Sequence, residues 1–83
     1  METTIPRRAL SEHELVQLLN WELAAYEGCG GTRFVSIKSA ASRDPSGCNW
    51  RDARVRSDHS LDRRERRIVR RVIAQTRREF NLS

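Results

Sequence analysis

Between residues 61 and 80, Leu61, Ile68, Val69, Val72, Ile73 and Phe80 recur at helical spacing. Eight arginines, Arg63, Arg64, Arg66, Arg67, Arg70, Arg71, Arg77 and Arg78, fill the opposite sector. An isolated helix of roughly five turns is marginal in water, so this stripe must be covered by something apolar. Only one other segment can answer it: Leu15, Leu18, Leu19, Leu23 and Tyr26 mark a second apolar helical face. With 83 residues, 37% hydrophobic and 33% charged, the chain has material for one thin core and no second one.

The first helix carries its own start signal. Ser11-Glu12-His13-Glu14 reads as a capping box, with Leu10 and Leu15 at the two positions of a hydrophobic staple. Gly28 is expected to end it in a left-handed conformation. Ser57, Asp58, His59 and Ser60 offer the cap of the last helix, with Asp62 in its first turn, where the helix dipole favours a carboxylate. Between the helices, residues 32–38 and 49–56 have strand composition, and Asp44-Pro45-Ser46-Gly47 fits a type I turn. Strict pairing across that turn sets Val35 against Arg56. A bulge or a wider loop instead pairs Val35 with Val55 and Ile37 with Ala53. In that register Val35, Ile37, Ala53 and Val55 face the core, while Phe34, Lys38, Trp50, Arg54 and Arg56 lie on the other side. The fold class expected is α+β, in the order α-β-β-α, with two helices packed on one face of an antiparallel hairpin. Residues 1–9 read as a flexible arm and residues 10–83 as a single small domain.

The charge is unevenly placed. Arginine supplies all but one of the sixteen basic residues; the net charge is −3 over residues 1–31, +3 over 32–60 and +5 over 61–83. The last helix thus presents a cationic face to phosphates or to an acidic protein, and its eight arginines are the candidate contacts. Phe34 and Trp50, beside Arg54 and Arg56, suggest either a base-stacking platform or a dimer interface. The dimer is preferred, because a two-stranded sheet with open edges invites pairing into four strands across two copies.

Little points to catalysis. Glu22 and Glu65 fall in apolar helical sectors, where each is expected to meet an arginine or to sit at a frayed edge of the core, and no nucleophile or base is arranged around them. Cys29, Cys48, His13 and His59 match no zinc spacing, and two cysteines at opposite ends of a ribbon are expected to stay reduced. No cofactor motif is present. No apolar run is long enough to span a membrane, and the start of the chain lacks the apolar core of a secretory signal, which points to the cytoplasm.

Leu19-Asn20-x-Glu22-Leu23, Cys29, Gly47-Cys48-Asn49-Trp50 and Phe80-Asn81-Leu82 together resemble a family of short proteobacterial hypothetical proteins, over most of residues 10–82. The resemblance carries no catalytic residue across; it implies that Cys29, Cys48, Asn49 and Trp50 are the family's shared feature. More loosely, Arg63-Arg64-Glu65-Arg66-Arg67 is placed like the basic helix start of a double-stranded-RNA-binding domain. That domain, however, has three strands and a Lys-rich signature, where this chain has two and none. The sequence therefore reads as a non-catalytic interaction module, homodimeric, with nucleic-acid binding through the arginine face as the alternative.

Overall fold

In the computed structural model, which describes residues 7–83, the arginine-bearing helix spans Arg63–Arg77 (α2). Asp62 is its N-cap, its Oδ1 accepting from Glu65 N at 2.8 Å. The cap therefore lies past Ser57-Asp58-His59-Ser60, of which Ser57, Asp58 and His59 are engaged in other bonds. The first helix spans Glu12–Leu23 (α1), and both bonds of the capping box form: Glu14 N to Ser11 Oγ at 3.1 Å, Ser11 N to Glu14 Oε1 at 3.0 Å. It closes at Leu23, before Tyr26. Gly28, at φ +87°, turns the chain four residues beyond the helical cap Ala24.

Thr32–Ser39 (β2) and Trp50–Ser57 (β3) form the antiparallel hairpin. The type I turn forms, Gly47 N bonding Asp44 O at 2.9 Å. Ile37 lies opposite Ala53, as the sequence suggests, but Phe34, not Val35, lies opposite Val55. Two register shifts explain this: Val35 is the extra residue of a bulge in β2, and Arg51 is the extra residue of a bulge in β3. Each bulge inverts the alternation of its strand. Phe34 and Ile37, three apart, thereby share the buried face, as do Trp50 and Ala53. The expected faces are thus corrected: Phe34 and Trp50 are 1% and 0% exposed, and Val35 is the residue left outside.

Two short strands frame this unit. Arg8–Leu10 (β1) pairs in parallel with Phe80–Leu82 (β4), so the order is β-α-β-β-α-β. Arg8 and Ala9, grouped by sequence with the arm, thus sit in a strand; the arm's residues 1–6 lie outside the described residues. Phe80 does not extend α2, because the backbone of residues 80–82 is claimed by groups of the hairpin described below. The core gathers Leu15, Leu19 and Leu23 of α1, Phe34 and Ile37 of β2, Trp50 and Ala53 of β3, and Ile68, Val69, Val72 and Ile73 of α2. Helix α1 runs along the free edge of β2. Asn20 exchanges two bonds with the backbone of Phe34, at 2.7 and 3.0 Å, and Glu12 Oε2 accepts from Ile37 N at 3.2 Å. No helix among the described residues is long and apolar enough to cross a membrane.

Candidate nucleic-acid interface

Helix α2 buries Ile68, Val69, Val72 and Ile73 and turns Arg63, Arg64, Arg66, Arg67, Arg70 and Arg71 to solvent; Arg78, just past its end, is also exposed. Arg63, Arg66, Arg67 and Arg70 line an open groove of about 320 Å³ with no carboxylate in its wall. Arg63, Arg64, Arg66 and Arg67 fall within the first turn and a half, at the positive end of the helix dipole, an arrangement that an anion relieves. Among the described residues, Arg63, Arg66, Arg67, Arg70, Arg71 and Arg78 have no side-chain hydrogen bond or ion pair. Arg64 donates to Glu27 O at 2.9 Å.

Arg77, grouped by sequence with the solvent face, is an exception. It is partly buried, its Nε donating to Trp50 O at 2.9 Å and its Nη2 pairing with Asp44 Oδ2 at 2.7 Å. Asp44 also accepts from Ser46 Oγ and from the backbone N–H groups of Ser46 and Cys48. These bonds, the Ser46 hydroxyl foremost, hold its carboxyl at a pKa of about 2.

Arg54 and Arg56 are exposed on the hairpin with Arg33 and Arg51, whereas Phe34 and Trp50 are inside and present no aromatic surface. The exposed large aromatic is instead Trp21, at 73% exposure on α1. Sequence reasoning passed over it; its signal was a tryptophan standing off the Leu15-Leu19-Leu23 face.

Two of the segments quoted above, residues 47–50 and residues 80–82, meet one another. Asn49 pairs through both ends of its amide with the backbone of Leu82, Nδ2 to O at 2.6 Å and N to Oδ1 at 2.7 Å. Trp50 Nε1 donates to Phe80 O at 2.9 Å, and Asn81 Nδ2 to Gly47 O at 3.1 Å. Cys48 Sγ lies 3.2 Å from Trp50 O, to which it donates. The turn and β4 are therefore bolted together by side-chain-to-backbone bonds. Both cysteines are free and buried, and burial pushes the Cys29 thiol upward in pKa.

Glu65 is buried, as its place in the stripe implied, but its partner is a histidine and not an arginine. His59 Nε2 lies 2.8 Å from Glu65 Oε2, and His59 Nδ1 lies 2.5 Å from Asp58 Oδ1. The bond to Asp58, then that to Glu65, raises the His59 pKa. Thr32 Oγ1 adds a longer bond to Glu65 at 3.4 Å. With a carboxylate on each ring nitrogen, His59 has no free position for a substrate. Glu22 is half-buried, and among the described residues no three His, Cys, Asp or Glu side chains are arranged to hold a metal ion.

No family model, curated protein or solved structure matches this chain.

Proposed function

We propose that this chain is a non-catalytic module that binds the phosphate backbone of a nucleic acid through the arginine row of α2. One observation carries the reading: six arginines on and just beyond one helix, all exposed, have no protein partner among the described residues. Guanidinium groups pair bidentately with phosphate oxygens, and a row of them can follow a backbone without reading bases. The test is fluorescence anisotropy of labelled single- and double-stranded oligonucleotides across a salt series. Micromolar binding with log affinity falling steeply against log salt is the expected result. The variant Arg66→Glu/Arg70→Glu, with its fold retained by circular dichroism, loses that binding. Absence of binding at low salt removes the proposal.

A second reading, a homodimeric interaction module, no longer draws on Phe34 and Trp50. It draws on Trp21, whose exposure is unusual for so large an apolar side chain. In that case Trp21→Ala converts a dimer seen by analytical ultracentrifugation into a monomer.

A further inference from the structure

Beyond the C-terminal end of α2, a cleft of about 610 Å³ opens between the Asp44-Pro45-Ser46-Gly47 turn and β4. Three arginines from distant parts of the chain line it: Arg7, Arg43 and Arg78. Arg7 is fixed in the wall, its Nε donating to Ser46 O at 3.1 Å and its Nη2 to Ser46 Oγ at 3.0 Å. Arg43 and Arg78 are exposed and unpaired among the described residues; no aspartate or glutamate side chain lines the cleft, and Ser83, also in its wall, brings one terminal carboxylate against the three guanidinium groups. Asn81, also in the wall and 7% exposed, donates its Nδ2 to Gly47 O while its Oδ1 is buried without a partner.

We propose that this cleft is a subsite for the terminal phosphate of a nucleic-acid strand whose backbone lies along α2. The inference rests on the nucleic-acid reading above and adds a specific end-group to it. Three guanidinium groups in one cleft repel each other, and a phosphomonoester, at roughly −2 near neutral pH, offsets them better than a singly charged phosphodiester. Arg78 belongs both to this cleft and to the arginine row, so a strand following the row arrives at the cleft with its end.

The experiment compares oligonucleotides of one sequence carrying a 5′-phosphate, a 3′-phosphate or free hydroxyls at both ends, by anisotropy at fixed salt. One phosphorylated form binds roughly tenfold tighter than the hydroxyl form. Arg43→Ala, a change at an exposed loop position outside the arginine row, erases that preference, bringing the phosphorylated form's affinity down to that of the hydroxyl form. Arg66→Glu/Arg70→Glu weakens all three. Equal binding of the three forms with a steep salt dependence overturns the end-group assignment alone. No binding of any form overturns it together with the functional reading. Inorganic phosphate that shifts the Asn49 and Asn81 side-chain amide resonances, with no preference among strand ends, also overturns it, by making free phosphate the ligand.

Discussion

At the scale of single residues, three asparagines do work that the chain's small apolar content leaves undone. Asn20 satisfies the outward backbone of Phe34, Asn49 satisfies that of Leu82, and Asn81 reaches Gly47 O. The amides of Asn20 and Asn49 each act as a short length of strand, presenting a donor and an acceptor to one residue's backbone, whereas Asn81 uses only its donor. Truncation leaves backbone groups unpaired at part-buried positions, which costs about 1–3 kcal/mol per site. Asn49→Ala is expected to lower stability by that amount in urea denaturation. Asn49→Asp, which keeps the acceptor for Leu82 N but loses the donor to Leu82 O, is expected to fall between it and the parent. If Asn49→Ala unfolds at the parent's midpoint, β4 is held by its pairing with β1 and not by this amide. Mechanically, bonds at Gly47, Asn49 and Trp50 hold residues 80–82 in place.

At the scale of elements, the helices and the hairpin were legible because each carries its signal locally. The capping box of α1, the Asp44-Pro45-Ser46-Gly47 turn and the apolar stripe of α2 are all written within a few residues. The strand faces were not, since a single inserted residue inverts the alternation and nothing in TRFVSIK or NWRDARVR marks Val35 or Arg51 as the insertion. Strands β1 and β4 were illegible for another reason: three residues each, they exist only because the two ends of the chain meet. The arginine row was visible by periodicity, but the cleft was not, because Arg7, Arg43 and Arg78 are brought together only by the fold. The corrected faces have a direct consequence. Phe34→Ala opens the core and is expected to cost about 3–5 kcal/mol. Val35→Thr, at the solvent-facing bulge, is expected to stay within about 0.5 kcal/mol of the parent. The two variants' denaturation midpoints decide the matter, and the opposite ranking restores the face that simple alternation suggests.

At the scale of the whole molecule, α2 is clamped at both ends by an ionisable contact. Near its start, buried Glu65 meets His59 on the segment leaving β3; at its finish, Arg77 meets Asp44 of the turn. The two contacts fail in opposite directions of pH. The His59 pKa is raised above its ordinary 6.5, so folding favours the protonated ring. That contribution is complete below 6.5 and is lost as pH rises through the raised value. The Asp44 pKa is lowered from 3.8 to about 2, chiefly by the Ser46 hydroxyl and the turn's N–H groups and least by Arg77, so the contribution of the turn and its ion pair together is complete above 3.8 and is lost as pH falls toward about 2. Maximum stability is therefore expected between roughly pH 4 and 6.5. Thermal unfolding from pH 2 to 9 measures the window, and His59→Gln separates its upper limb from other titrations. In that variant the melting temperature no longer declines between pH 6.5 and 8, while its decline toward acid remains. A parent protein whose melting temperature holds level across pH 6.5–8, with the His59 ring seen by NMR to titrate there, breaks the link between that proton and the seating of α2. Because the same helix carries the arginine row, loss of the His59 clamp also loosens the first turn where Arg63, Arg66 and Arg67 converge. Affinity for oligonucleotides at fixed salt is accordingly expected to weaken over the same rise in pH, and to do so less in His59→Gln.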